Sequence, residues 1–261
     1  MKLAKKSLGQ NFLVDKNIIR KIINLTNLKK FNIIEIGPGY GALTDEILKK
    51  KPKSFTIIEK DFNLFSKLQS KYQDNKNIKL FNEDILKFNL KKILQKKSII
   101  FGNLPYNISS QILVKLIKFD KFDTKIDSMI LMFQKELGEK IICNYPSKYY
   151  GRLSILSNYK LSIKKKFFVS PNCFHPKPKV TSMVIHFKPK KKYSFIKNLS
   201  NLEKVTNILF SNKRKMINKN IKKLFSEIEI LKLNNINLKS RPSEIDPDIY
   251  YAMAKIYETK K

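Results

Sequence analysis

Glu35-Ile-Gly-Pro-Gly-Tyr-Gly-Ala-Leu-Thr44 is the stretch on which the fold turns. The apolar run Asn-Ile-Ile-Glu-Ile (32–36) enters it, and Ala-Leu-Thr-Asp-Glu-Ile-Leu-Lys-Lys (42–50) leaves it with helical patterning. Gly37, Gly39 and Gly41 fall within five positions of a chain that has only seven glycines. Glycines at a strand-to-helix turn permit positive φ and let a ligand approach the backbone, with helix N–H groups facing it. Gly37, Gly39 and Ala42 also fit the G-x-G-x-x-G/A fingerprint, so the turn by itself suits either a dinucleotide or S-adenosylmethionine.

Outward from this turn, short apolar runs alternate with amphipathic segments. Ser-Phe-Thr-Ile-Ile (54–58), Asn-Ile-Lys-Leu-Phe (77–81), Ser-Ile-Ile-Phe-Gly (98–102) and Ser-Met-Ile-Leu-Met-Phe (128–133) continue the series. Buried strands separated by helices predict an α/β domain with a mostly parallel sheet covered on both faces. Two further runs, 161–169 and 180–187, are joined by the Pro-rich Ser-Pro-Asn-Cys-Phe-His-Pro-Lys-Pro-Lys (170–179) with no helix-length segment between them. They read as a hairpin-like pair closing a seven-stranded sheet at one edge. After Phe187 the pattern changes: Lys-Pro-Lys-Lys-Lys-Tyr (188–193) is a linker candidate, and helical periodicity dominates from about Phe195. The expected division is 1–187 as the catalytic domain and 188–261 as a small helical domain.

Chemistry follows the strands. Glu59 ends the second run about 20 residues past the glycines, where a carboxylate can accept from both ribose hydroxyls of either cofactor. Asp84 follows the third run, placed to accept from an adenine amine. After the fourth run comes Asn103-Leu104-Pro105-Tyr106. A dehydrogenase has no use for this motif, so it decides for S-adenosylmethionine. It looks like the (Asn/Asp)-Pro-Pro-Tyr type found in methyltransferases that act on base amino groups. An exocyclic amine is a poor nucleophile because its lone pair is delocalised into the ring. Two acceptors aimed at its protons, the Asn103 side chain and the Leu104 carbonyl, favour the pyramidal form. Pro105 stiffens the loop and Tyr106 offers a stacking face to a flipped base. Asn103 is neutral and is given no proton-abstracting role; catalysis rests on alignment and electrostatics. Cys173-x-His175 lacks distant partners at ligand spacing, so no metal is expected.

The chain has 54 Lys and Arg against 21 Asp and Glu, a net charge of +33, which attracts polyanions. Only four of these cations are Arg and Trp is absent. Because that skew also matches an AT-rich coding bias, the position of the charge matters more than its sum. Between Lys213 and Lys223 stand Lys213, Arg214, Lys215, Lys219, Lys222 and Lys223 with no acid. On one continuous helix, Lys215, Lys219, Lys222 and Lys223 would share a face opposite Phe210, Ile217, Ile221 and Leu224. No run approaches the roughly 20 apolar residues of a membrane span. Two cysteines form no disulfide framework, which suits a reducing, cytoplasmic setting.

Taken in order, Leu-Gly-Gln-Asn-Phe-Leu (8–13), 35–44, Asn-Leu-Pro-Tyr-Asn-Ile-Ser (103–109), 132–141, 150–156, 174–185, 210–221 and 241–246 resemble the bacterial small-subunit (16S) ribosomal RNA adenine N(6),N(6)-dimethyltransferases over nearly the whole chain. The resemblance implies a Rossmann-like class I S-adenosylmethionine methyltransferase domain followed by a helical rRNA-docking domain. It implies that Asn11 and Leu13, with Gln10 nearby, cover the methionine end of the cofactor, and that Gly37, Glu59, Asp84 and Asn103 complete its site. Tyr106 would stack on the target adenine, with Phe174 on the opposite face, and the six cations of 213–223 would meet rRNA. The implied reaction dimethylates two adjacent adenines near the 3′ end of 16S rRNA in the assembling 30S subunit, by an enzyme expected to be monomeric. Glu83 departs from the family's Gly before the acid, and 213–221 carries Lys and Asn where the family is Arg-rich. The large-subunit adenine dimethyltransferases of macrolide resistance and non-catalytic nucleic-acid-binding relatives are the alternatives. The stretches 8–13, 150–154 and 241–245 favour the small-subunit type, and the intact cofactor residues favour an enzyme.

Overall fold

Every residue of Asn32–Ile36 is buried, the pattern of a strand covered on both faces. The computed structural model describes residues 10–190, 195–233 and 236–260. Leu8 and Gly9 of the first resembling stretch, and 191–193 of the expected linker, lie outside them.

The strands in chain order are β1 (Phe12–Leu13), β2 (Asn32–Ile36), β3 (Ser54–Glu59), β4 (Ile78–Asn82), β5 (Ser98–Asn103), β6 (Ile126–Gln134), β7 (Leu161–Val169), β8 (Phe174–His175) and β9 (Ser182–Pro189). Seven of them form one sheet in the order β4-β3-β2-β5-β6-β9-β7. The pairs β2–β3, β2–β5, β3–β4 and β5–β6 are parallel, and β6–β9 is antiparallel. The chain therefore runs from β2 outward through β3 to β4, then returns to β5 on the other side of β2. That reversal makes a crevice beyond the carboxyl ends of β2 and β5, where open α/β sheets bind ligands. The expected closing pair is present at the edge, with β9 inserted between β6 and β7. A two-stranded sheet of β1 with β8, unforeseen in the sequence, pairs Leu13 with Phe174.

Helices α1 (Lys16–Ile23), α2 (Ala42–Lys49), α3 (Phe62–Lys71), α4 (Ser109–Ile117) and α5 (Phe122–Lys125) accompany these strands. Asp15 caps α1, accepting from the N–H groups of Asn17 and Ile18, and Asp61 caps α3, accepting from Asn63 N–H. One core cluster joins Ile19, Ile22 and Ile23 of α1 to Ile33, Phe55, Ile99, Phe101 and Met132 of the sheet.

The chain forms two compact units, Met1–Gly138 with Ser162–Pro189, and Glu139–Leu161 with Lys190–Lys261. Residues 139–161, assigned above to the first domain, thus belong to the second. The reason is aromatic packing. Helix α6 (Lys135–Ile142) leads to α7 (Arg152–Lys160), whose buried Tyr159 lies 4.9 Å, ring centre to ring centre, from Tyr251 and accepts from Ile196 N–H at 2.9 Å. The second unit also holds α8 (Leu199–Leu209), α9 (Asn218–Ile221), α10 (Glu227–Leu231) and α11 (Pro247–Thr259), with no strand beyond Lys190 among its described residues. Leu202, Val205 and Leu209 of α8 and Tyr250, Met253 and Ala254 of α11 are fully or almost fully buried. Capping secures the short elements: Ser226 and Glu229 form a reciprocal capping box at α10.

Candidate active site

The glycine turn adopts the conformation its residues permit, with φ of 66°, 62° and 84° at Gly37, Gly39 and Gly41. At Gly39 the requirement is also spatial, since an added Cβ would stand 2.6 Å from Cδ1 of Phe12. Gly37 N–H donates to Ile58 C=O at 3.0 Å, tying the turn to β3.

A cavity of about 450 Å³ opens at this turn, in the first unit. Asn11, Leu13, Gly37, Glu59, Asp84, Asn103, Leu104, Pro105 and Tyr106 all line it, as does Gln10. Nine site residues spread over 96 positions of sequence are thus brought to one place by the sheet's switch point. Phe174 is not among them: it is buried at 4% exposure in the core cluster, paired with Leu13, because β8 turns it inward.

Asn103 is oriented by a bond that the sequence does not reveal. Its side-chain N–H donates to the Asn11 carbonyl at 2.8 Å. A carbonyl only accepts, so the NH₂ must face Asn11 and Oδ1 is left as the acceptor. Next in the loop, the Leu104 side chain is buried, and the Leu104 carbonyl accepts no turn hydrogen bond among the described residues. Tyr106 is half-buried, and its hydroxyl shares a 2.7 Å hydrogen bond with Oγ of the buried Ser182 at the start of β9. Burial pushes the Tyr106 phenol up, offset in part by Ser182. A ring held at its hydroxyl end leaves its face to stack.

The two acids have different surroundings. Glu59, 7% exposed, accepts from Asp61 N–H at 2.8 Å, and burial raises its pKa while backbone N–H groups of Asp61 and Gly39 pull it back. Asp84 is more open, accepts from Leu86 N–H at 2.9 Å and pairs with Lys60 Nζ at 2.8 Å. That lysine contact holds its carboxyl below the usual range. Gln10 donates to Asp61 at 3.1 Å, linking the N-terminal strand to the α3 cap beside Glu59.

Glu35 was not singled out as a site residue, yet it lines the same cavity. Thr44 Oγ1 donates to its Oε2 at 2.6 Å, while the buried Oε1 has no hydrogen-bond partner. Burial pushes this carboxyl up to about 8 despite the Thr44 bond, with Asp45 and Glu59 adding like-charge repulsion and Lys71 opposing them. The available cue was an acid inside an otherwise apolar strand, which burial makes costly.

The six cations of 213–223 lie in the second unit, all exposed. The expected continuous helix is absent. A 3₁₀ turn at Phe210–Asn212 gives way to a turn before the four-residue α9. Ile217 N–H donates to Ser240 C=O at 3.0 Å instead of to a carbonyl four residues back, which breaks the helix. The burial of Ile217, Ile221 and Leu224 is as expected. Among the described residues no cluster of three or more His, Cys, Asp or Glu is gathered that could hold a metal ion.

Residues 1–259 match the family model described as ribosomal RNA adenine dimethylase. The chain is 44% identical over 256 residues to the ribosomal RNA small subunit methyltransferase A of Pelagibacter ubique, covering 98% of this chain and 97% of the relative. It is 39% identical to the protein of that name from Wolbachia pipientis, over 96% of this chain and 95% of the relative. Among solved structures, a dimethyladenosine transferase from Plasmodium falciparum superposes with a TM-score of 0.74 at 24% identity, over 95% of this chain and 98% of that one. The 23S rRNA methyltransferase ErmE superposes with a TM-score of 0.64 at 20% identity, over 95% and 99%. These structures share the class I methyltransferase fold. A family model matched across almost the full length, relatives near 40% identity and a switch-point cavity carrying Asn-Leu-Pro-Tyr place this chain in the ribosomal RNA adenine dimethylase family.

Proposed function

We propose that this chain uses S-adenosylmethionine to dimethylate two adjacent adenines near the 3′ end of 16S rRNA in the assembling 30S subunit. The orientation of Asn103 is the observation that carries the chemistry. With its NH₂ committed to Asn11, Oδ1 presents an acceptor to the cavity beside the Leu104 carbonyl. Two acceptors suit an amine whose lone pair must be freed from the ring, and they bind its pyramidal form more strongly than its planar one. Tyr106 stacks on the adenine. Phe174 pairs with the pocket-lining Leu13 across β1–β8 and is buried with it in the core cluster.

On the donor side, Glu59 accepts from the ribose hydroxyls, Asp84 from the adenine amine of the cofactor, and Gly37, Asn11 and Leu13 enclose its methionine end. Glu35 also faces the cationic donor, whose positive charge favours its ionised form over the protonated form that burial favours. The donor supplies an electrophilic sulfonium methyl, and the residues hold amine and methyl in line. The proton lost after each transfer is acidic on the cationic nitrogen and leaves to water. The 16S assignment draws on relatives named for small-subunit RNA, and the cations of 213–223 serve as its phosphate contacts in a cytoplasmic, monomeric enzyme. The test is methyl transfer to unmethylated 30S particles, 50S particles and naked RNA. Transfer confined to 30S particles is the expected result; transfer to 50S particles or their RNA would move the protein to the large-subunit class.

A further inference from the structure

Phe168 occupies an unusual place. Its neighbours Phe167 and Val169 pack into the core cluster, whereas Phe168 is 56% exposed. It stands near the end of the edge strand β7, and Ser162 Oγ donates to Lys188 C=O at 3.2 Å, joining the start of β7 to the end of β9. The end of β7 therefore lies beside the start of β9, where Ser182 bonds the Tyr106 hydroxyl. Lys135 completes the link. Its N–H donates to Thr181 C=O at 2.9 Å, and its ammonium sits 5.2 Å from the centre of the Phe168 ring. A continuous path thus runs from Tyr106 through Ser182 and Thr181 to Lys135 and Phe168, along the sheet edge that carries the cavity.

Charge supports the same surface. Lys164, Lys165 and Lys166 lead along β7 to Phe168, all exposed, and among the described residues none is held in an ion pair. An exposed ring beside several cations suits single-stranded nucleic acid, since every base has a face to stack and every link a phosphate to neutralise. We propose that Phe168 and Lys135 form a second nucleobase platform beside Tyr106, stacking the nucleotide that flanks the target adenine while the lysines of β7 take its phosphates. This rests on the functional reading above, because a substrate of two adjacent adenines must lodge one while the other occupies the pocket.

The test uses the full chain, unmethylated 30S particles and single-turnover methyl transfer. Phe168→Ala should raise the particle concentration for half-maximal rate by roughly 5- to 150-fold, the range for losing one base–aromatic stack. Calorimetric affinity for S-adenosylmethionine should be unchanged, and Phe168→Trp should restore wild-type behaviour. Replacing Lys164 and Lys166 with Gln should lower the salt-dependence slope of particle binding by about 0.7–0.9 per neutralised phosphate, whereas Phe168→Ala should leave it alone. Wild-type dependence on particle concentration in Phe168→Ala, with wild-type protein methylating 30S, overturns the platform alone. Wild-type protein that binds the cofactor yet leaves 30S unmethylated overturns the functional reading, and the platform with it.

Discussion

The cavity in the first unit and the basic segment of the second hold their functional groups in opposite ways. In the cavity each group is tied at a specific atom: Asn103 to the Asn11 carbonyl, Tyr106 to Ser182, Glu59 to Asp61 N–H. Along 213–223 the lysines stand in solvent on turns and on the four-residue α9, and the pair Lys222–Glu227 at 3.4 Å has both side chains well exposed. Buried, directional contacts concentrate an effect in one atom, while exposed charges spread it over many and are screened by salt. Loss of a single group should therefore be severe in the first region and mild in the second.

The largest effect is expected at Asn103. Asn103→Ala removes an acceptor aimed at the reacting amine and should lower single-turnover methyl transfer by roughly 100- to 1000-fold, with a smaller change in donor affinity. Near wild-type turnover would show that the orientation imposed by Asn11 is not used in catalysis. Glu59→Ala comes next. Removing a carboxylate that receives ribose hydroxyls should weaken S-adenosylmethionine binding by about 1.5–3 kcal/mol per charged hydrogen bond, read by calorimetry. Unchanged affinity would place the ribose elsewhere in the cavity.

A third prediction separates the regions by pH. The Glu35 carboxyl is held up to about 8 against an ordinary 4.5, so the folded protein keeps a proton that the unfolded chain releases. Its contribution to stability is full below the unfolded value and is lost as pH rises from about 4.5 to about 8. Glu35→Gln should flatten that limb of the thermal midpoint measured without cofactor; parallel curves for the two proteins would remove Glu35 as its source. The smallest effect per residue belongs to the lysines. Replacing Lys215, Lys219 and Lys222 together with Gln should flatten the salt dependence of 30S binding by up to about 0.7–0.9 per neutralised phosphate. Lys222 contributes least because Glu227 already faces it. Donor affinity should not change, and a wild-type slope would leave these cations as a solvated surface.

What could be read in advance was what is local and periodic. The apolar run 32–36 matches β2 at both ends because unbroken burial leaves little choice of pairing, and 161–169 matches β7 at both ends although that edge strand is exposed along its middle. Glu59 and Asn103 were legible because parallel strands deliver their carboxyl ends to one edge. Contacts made across long separations were not. The β1–β8 pair is two residues long on each side and set by tertiary packing, so Phe174 looked available for stacking until that pairing buried it. Ser182 lies 76 positions from Tyr106 and has no motif of its own. The helix expected over 213–223 failed for the same reason, because the Ser240 carbonyl claims the Ile217 N–H from outside the segment.

The lock between Asn103 and Asn11 also decides which bases the pocket refuses. With the amide unable to turn over, the loop offers oxygens and no N–H at that position. A guanine or hypoxanthine entering as the adenine does would bring its ring carbonyl against Oδ1, lone pair facing lone pair. Discrimination of that kind comes from repulsion built into the empty pocket, independent of how tightly the correct base is stacked.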